Sequence, residues 1–428
     1  MLSEEHINQI LSNIDICFNR TYELLSLNLV VNQNFTGWRQ FLGPSDSVGV
    51  FGSACGLTTL CAINPKDSRL IAQIVKYLKS IQLQDGSWDS PTILPDLGLT
   101  TATCHCVMAL KSAGLPANDK HLEKACNWLI SNIQQDGCIG NYAGDKNQSF
   151  ISTALTIRAL KCIGLNQFLP EINRIIGRIV SFKNDDGGFS QDKGISTIHH
   201  SSVALLALSN LESLISNTSR IIEESYSYII ENISFGQNIG RDIDYVELKG
   251  RRAMLPYTYQ TDGILLQALL TYKNAIYDEN IFSLVSYIIE SQKEGSWEHQ
   301  TIPGKKPSWA IMESIIGLKE FYIRAEKNKH FISIEIDLKR LEEKIDRNEQ
   351  IISESSEKLS GLIFNFMSLW PIFKYRYIIV TLYLGSIYMF IRSSFGNLAS
   401  YSDYLATGVA IILCCLQLFS GFTNKSDQ

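Results

Sequence analysis

Asp242 and Asp244, in the run Asp242-Ile243-Asp244-Tyr245, are the chain's plainest candidates for catalytic acid chemistry. A carboxylic acid serves as a strong proton donor only in a dry site with hydrogen-bonded neighbours. Arg241, Arg251 and Arg252 stand close by in sequence, so a solvated, charge-paired loop is the competing reading. A second group, Asp46, Thr103, His200, Asp262 and Ser308, lies near the starts of apolar helical stretches. If those helices run parallel, the group shares one rim, where helix N-termini attract anions. Plain capping explains the same residues, since Ser, Thr and Asp favour helix starts. Phe51, Phe150, Tyr257, Tyr259 and Trp309 are candidates to line a cavity for an apolar chain or a carbocation, with ordinary core packing as the alternative. His200, Asp262, Tyr259, Trp309 and Phe150 are therefore the expected binding set. Cys104-His105-Cys106 has the look of a metal site. On one helix, however, residues one and two apart point in different directions and cannot converge. They read as buried structural cysteines, and neither a metal nor a cofactor is expected.

Composition narrows the classes of function. Of 428 residues, 45% are hydrophobic and 19% charged, with 38 basic and 43 acidic side chains for a net charge of −5. Such a balance offers no basic surface for a phosphate backbone, so nucleic acid is not expected as a partner. The acidic opening Met1-Leu2-Ser3-Glu4-Glu5-His6 does not read as a secretory signal. Ten cysteines without such a signal imply reduced thiols and a cytosolic soluble part.

The elements that must position these residues repeat. A small residue followed by Leu recurs deep in apolar stretches at Gly56-Leu57, Ala109-Leu110, Ala159-Leu160, Ala207-Leu208, Ala268-Leu269 and Gly317-Leu318, with steps of 53, 50, 48, 61 and 49 residues. A period near 50 marks a repeated supersecondary unit. Before each apolar helix the spacing predicts an amphipathic one, at roughly 5–30, 68–83, 119–133, 170–183, 219–233 and 278–292. Between them lie glycine turns: Asp85-Gly86-Ser87-Trp88, Asp136-Gly137-Cys138, Asp186-Gly187-Gly188-Phe189 and Glu294-Gly295-Ser296-Trp297, with weaker forms at Thr36-Gly37-Trp38 and Phe235-Gly236. Glycine permits the left-handed backbone that ends a helix, and the aromatic then covers the bared helix end. Six such hairpins predict an all-α fold, an α6/α6 toroid with the apolar helices as a parallel inner ring. Strands find little support. The longer fifth step places Asp242 and Asp244 in an insertion loop.

Gln82-x3-Gly86-x-Trp88, and Gln292-x2-Gly295-x-Trp297 with one residue fewer, resemble the QW-type repeats of squalene–hopene cyclases and related terpenoid cyclases. The resemblance extends to protein prenyltransferase β subunits and covers about three quarters of the chain. It implies the toroid, and it does not by itself imply an activity. The cyclases carry an Asp-x-Asp-Asp motif, whose middle Asp protonates the substrate, leading into an inner helix. The aligned fifth repeat here has Thr258-Tyr259-Gln260-Thr261, and Asp242-Ile243-Asp244-Tyr245 lies upstream without the third Asp. Prenyltransferases hold zinc through Asp, Cys and His. Here Asp262-Gly263 fits the start of that pattern, but Ile264 and Ala310 stand where the Cys and His are expected. With two ligands of three missing, zinc is not expected to bind.

Beyond the repeats, Ile334, Leu338, Leu341, Ile345, Asn348, Ile352, Ser355, Leu359, Leu362 and Phe366 follow a 4-3-4-3 spacing. That seam predicts a stalk helix that either pairs with a second copy or lies on the globular part. Residues 377–391 and 404–424 carry no charge over 15 and 21 residues, and they predict a transmembrane hairpin, with two buried helices as the alternative. Lys374, Arg376 and Lys425 place the toroid and the C-terminal tail on the cytoplasmic side. The expected domains are thus 1–325 (toroid), 326–368 (stalk) and 369–428 (hairpin and tail). The expected function is a non-catalytic, membrane-anchored toroid that binds an apolar ligand or a protein partner and couples it to the hairpin. That layout resembles membrane effectors of bacterial defence systems. The alternatives are a membrane-tethered isoprenoid cyclase or prenyltransferase, and a protein-docking scaffold.

Overall fold

The computed structural model describes residues 4–368, except 33–34, 44–48, 91–94, 165–167, 192–193, 212–217, 234–240, 249–250, 259–261, 273 and 299–303, together with 383, 385 and 387. Two compact units are present, Met1–Arg340 and Leu341–Gln428.

Among the described residues six amphipathic helices alternate with six apolar ones. The amphipathic set is α1 (Glu4–Asn28), α3 (Ser68–Ser80), α5 (Lys120–Ser131), α7 (Leu169–Ser181), α9 (Thr218–Asn232) and α11 (Glu279–Ser291). The apolar set is α2 (Val50–Ile63), α4 (Thr100–Ser112), α6 (Phe150–Ile163), α8 (Ile198–Leu208), α10 (Asp262–Leu270) and the start of α12 (Ser308–Ser368). Burial explains the sorting. Helix α7 buries Ile172, Ile175, Ile176 and Ile179, one stripe at helical spacing, and faces water with the rest. Helix α8 is buried on nearly every side, from Ile198 to Leu208, and so belongs inside. Asp67, Asp119 and Asp278 cap the outer helices α3, α5 and α11, accepting from the backbone N–H of Leu70, His121 and Asn280.

The inner helices form a closed ring. Neighbours pack in the order α2, α4, α6, α8, α10. The backbones of α10 and α12 cross closely at Gly263 and Gly317, where a Cβ would overlap the partner helix. Strands β3 (Phe41–Leu42) and β6 (Lys306–Pro307) pair antiparallel, and the Ser308 N–H donates to the Gln40 carbonyl at 2.9 Å, joining the start of α12 to the segment that precedes α2. The start of α4 bonds to the segment leading into α6, through Thr100 N–H to Asn141 O at 3.0 Å. The start of α6 bonds to the segment leading into α8, through Phe150 N–H to Gln191 Oε1 at 2.7 Å. The inner helices therefore begin at one end of the ring.

The glycine turns assemble the outer ring. Gly86, Gly137, Gly187 and Gly295 have φ of +97°, +85°, +90° and +82°, a region open to glycine. Each lies against the backbone of the next outer helix, at Lys124, Arg174, Glu224 and, closing the circle, Arg20 of α1. Trp38, Trp88 and Trp297 donate their indole N–H to Leu25, Leu78 and Ile288 at 2.8, 2.8 and 2.9 Å, within the last turns of α1, α3 and α11. The aromatic thus satisfies a carbonyl that the helix end leaves bare. The Gln82 side chain donates to Gly86 O and to His121 O, both at 2.8 Å, so one amide ties the turn to the next hairpin. Gln82→Ala is expected to lower stability by ~1–3 kcal/mol, the cost of orphaned buried polar groups, as read by urea unfolding.

One expectation is corrected. Residues 241–258 do not form a loop but a two-stranded hairpin, β4 (Arg241–Leu248) with β5 (Arg251–Thr258). The remaining strands, β1 (Val30–Val31) and β2 (Thr36–Gly37), pair with one another. In the 241–248 run Ile243 and Tyr245 alternate with Asp242 and Asp244, and only Lys249-Gly250 separates the two strands. That is the pattern of a hairpin with a two-residue turn.

Among the described residues no helix is long and apolar enough to cross a membrane. The expected spans, 377–391 and 404–424, lie outside the described residues apart from positions 383, 385 and 387. On α12 the heptad residues Ile334, Leu338, Leu341, Ile345 and Ile352 are 49–58% exposed.

Candidate functional site

Most inner helices are buried except at a few positions, and α10 is buried throughout from Gly263 to Leu270. On α4, Thr101 and Met108 keep accessible surface while residues 102–107 are buried. On α6 the open positions are Ile151 and Arg158, on α8 Leu206, and on α12 Glu313 and Ile316. Spacings of seven and three keep such residues on one helical face. Arg158 and Glu313 stay partly accessible although protein surrounds them. These side chains therefore line an interior space within the inner ring.

Two charges meet across that space. In the ring order α6 stands opposite α12, so Arg158 and Glu313 reach inward from opposing walls. Gln267 of α10 joins them: Arg158 Nη2 donates to Gln267 Oε1 at 3.5 Å, and Gln267 Nε2 donates to the Glu313 carbonyl at 2.7 Å. Burial pushes the Glu313 carboxyl up to about 7, with Arg158 pulling the other way. Burial also lowers Arg158, but a guanidinium remains charged at neutral pH. His105 of α4, near Arg158, is held down to about 3, first by burial and then by that positive charge. At neutral pH the group therefore comprises a cation, a partly protonated carboxyl and a neutral imidazole.

A pH effect follows. A carboxyl whose folded value is about 7, against an ordinary 4.5, binds more protons when folded. Its contribution to stability is then lost as pH rises from about 5 to about 7. Glu313→Gln is expected to gain on the native protein across that window, by at most ~3 kcal/mol, in thermal melts at paired pH values.

The expected binding residues fall into separate groups. Trp309 packs with Phe41 (5.2 Å between ring centroids) and Phe51 (6.1 Å), and Phe51 meets the His105 ring at 4.8 Å. These belong to β3, α2, α4 and α12. Phe150 is fully buried among Phe182, Phe189 and His200. His200 shares a 2.8 Å hydrogen bond with Thr197 Oγ1, and burial lowers it to about 4. Asp262 is the first residue of α10, and burial raises its carboxyl to about 6. Thr103 has a structural role, its hydroxyl accepting from Trp88 N–H at 3.1 Å. Ser53, Thr153 and Ser201 accept equivalent turn N–H groups from Trp38, Ile139 and Phe189. Asp242 and Asp244 stand opposite Tyr257 and Leu255 in the β4–β5 register. Tyr259 and Asp46 lie outside the described residues.

Sequence reasoning missed Arg158, Glu313 and Gln267, yet a signal exists. The residue just before the small–Leu pair in repeats two to six is Met108, Arg158, Leu206, Gln267 and Ile316. Four of these keep accessible surface inside the ring, and Gln267 meets Arg158.

Comparison with known proteins agrees with this architecture. Residues 56–139 match the family model described as the squalene-hopene cyclase N-terminal domain. The type II terpene cyclase MstE from Scytonema, without ligand, is 14% identical with a TM-score of 0.51, over 74% of this chain and 99% of that one. A substituted form of it in complex with geranylgeranyl dihydroxybenzoate is 13% identical with a TM-score of 0.53, over the same 74% and 99%. A D-mannose isomerase is 13% identical with a TM-score of 0.54, over 73% of this chain and 97% of that one. No curated protein matches the sequence. The chain has a terpene-cyclase-like helical toroid, and structures of that shape include both a cyclase and a sugar isomerase. The shape by itself therefore does not assign a chemistry.

Proposed function

We propose that the toroid is a binding module that takes a largely apolar molecule into its ring. The observation that carries this reading is the set of accessible positions on five of the inner helices, Phe51, Met108, Ile151, Leu206 and Ile316, around one polar centre. Burying such a ligand gains ~25 cal/mol per Å² of apolar surface. The similar cyclase holds a geranylgeranyl compound, which favours an isoprenoid or a chain of like shape. Turnover is not expected: Thr258-Tyr259-Gln260-Thr261 stands at the acid motif, and Ile264 and Ala310 at two zinc-ligand positions. Residues 369–428 anchor the protein in a bilayer as a hairpin with the toroid on the cytoplasmic side, and the heptad of α12 pairs with a second copy. Ligand binding is transmitted through α12, which carries Glu313, to the hairpin, as in a membrane effector of a defence system.

Full-length protein in lipid nanodiscs, titrated with farnesol and followed by tryptophan fluorescence, should show saturable one-site binding. Linear, non-saturating partition of farnesol, and likewise of its phosphate and of a matched fatty chain, would overturn the reading. The effector role predicts membrane leakage on expression that disappears when 369–428 is deleted, and equal leakage in both cases would remove it.

A second reading, a membrane-tethered isoprenoid cyclase or prenyltransferase, is favoured by one observation: an interior carboxyl, Glu313, held near neutrality as general acids are. Polyprenyl substrates incubated with the protein would yield product that Glu313→Gln abolishes. Product that survives Asp242→Asn and Asp244→Asn would remove those two carboxylates from the mechanism.

A further inference from the structure

Arg158 places a large hydrogen-bonding demand inside the ring. A guanidinium carries five N–H donors in a planar fork. Among the described residues, the hydrogen bond that meets them is the long one to Gln267 Oε1, at 3.5 Å. Glu313 attracts Arg158 without forming a salt bridge to it among the described residues. The remaining Arg158 nitrogens and the Glu313 oxygens are not among the sealed, unpartnered polar atoms, so both groups open on the interior space. A buried cation in this state is costly unless an anion or water completes it. Around it the other accessible positions are mostly apolar, among them Met108, Ile151, Leu206 and Ile316.

We propose that the ligand is an apolar chain bearing one anionic group, a carboxylate or a phosphate monoester, and that Arg158 receives that group at the centre of the ring. This rests on the reading that the interior binds an apolar molecule, and it adds the chemical class of the ligand. Two oxygens on one atom match the guanidinium fork, and such pairs are the stronger hydrogen bonds. A neutral alcohol would leave the cation unmatched. A cationic head would meet Arg158 with repulsion.

Glu313 tunes the site. Ionised, its carboxylate competes for Arg158, and protonated it does not. The described groups acting on this pair are Cys55 of α2, Cys104 and His105 of α4, and Cys162 of α6. Burial keeps each of those thiols protonated at neutral pH and the imidazole neutral, so Glu313 is the titrating partner. Affinity for an anion is expected to rise as pH falls from about 8 to about 6.

The test uses the full chain in nanodiscs and two matched probe pairs, hexadecanoate with hexadecanol and farnesyl phosphate with farnesol. Within the pair that fits, the anion should bind at least ~10-fold tighter than the alcohol. Whichever pair binds distinguishes a fatty carboxylate from an isoprenoid phosphate. Arg158→Met should abolish the preference for the anion over its matched alcohol. Glu313→Gln should strengthen anion binding and flatten its pH dependence. Equal affinity for anion and alcohol in the native protein would overturn the proposal while leaving interior binding intact. A preference that survives Arg158→Met would overturn it also. Failure of all four probes would sink both this proposal and the reading it rests on. The comparison in native protein needs no variant, and Arg158→Lys, which keeps the charge but loses the fork, serves if Arg158→Met does not fold.

Discussion

Gly295→Val opens the ring: the thermal transition of the toroid falls by ~3 kcal/mol or more, and proteolysis cuts between the first and last hairpins. Gly295 has φ +82°, where any other residue costs ~1–2 kcal/mol. A Cβ there would also overlap the carbonyl of Arg20, which is backbone of α1 and cannot swing away. The same corner holds two further links between the ends of the array, Thr21 Oγ1 to Gly295 O at 2.9 Å and Gln292 Nε2 to Cys17 O at 3.1 Å. Displacing the turn by the width of a side chain breaks all of them together. Two controls separate local strain from loss of closure. Gly144 also has positive φ, +75°, but a methyl group at that position would meet nothing within 4 Å, so Gly144→Ala should cost only ~1 kcal/mol. Gly177 is exposed on α7 with open space around it, and Gly177→Ala should stabilise by ~0.5–1 kcal/mol. Calorimetry on the three variants checks the order.

Trp88→Ala should cost ~3–5 kcal/mol, the range for emptying a buried aromatic site. Trp88 is fully buried, and its indole N–H satisfies Leu78 O at 2.8 Å. The substitution therefore leaves both a cavity and a bare carbonyl. Trp88→Phe keeps most of the volume and loses only the hydrogen bond, for ~1–3 kcal/mol. Urea midpoints should shift in that order with little change in slope. An Ala variant no worse than the Phe variant would mean that the ring at 88 is not packed as described.

The helical pairs are legible because their signals are local and repeated. A stripe such as Ile172, Ile175, Ile176 and Ile179 reads as an outer helix without any tertiary knowledge. Each glycine turn announces the end of one, and the degenerate Thr36-Gly37-Trp38 still places its indole on a helix end. What each glycine touches is not legible, because Gly295 and Arg20 lie at opposite ends of the chain. A long step between repeats suggests a loop and hides the β4–β5 hairpin, although the alternation around Asp242 and Asp244 is present. The interior pair is hidden differently. Arg158 sits beside Ala159-Leu160, and the small–Leu pair that marks the repeat draws attention away from the residue before it. Glu313 gives no signal until α12 is placed opposite α6, since pairing across a ring leaves no mark in spacing.

The most direct test of interior binding is to fill the space from within. Ile316 and Leu206 face the ring with accessible surface, so Ile316→Trp and Leu206→Trp add bulk there without displacing core. Binding isotherms for farnesol or its phosphate should weaken at least ~10-fold in both variants, with the thermal midpoint unchanged or raised. Undiminished binding by two well-folded variants would contradict the account, because the ligand would then lie somewhere other than inside the ring.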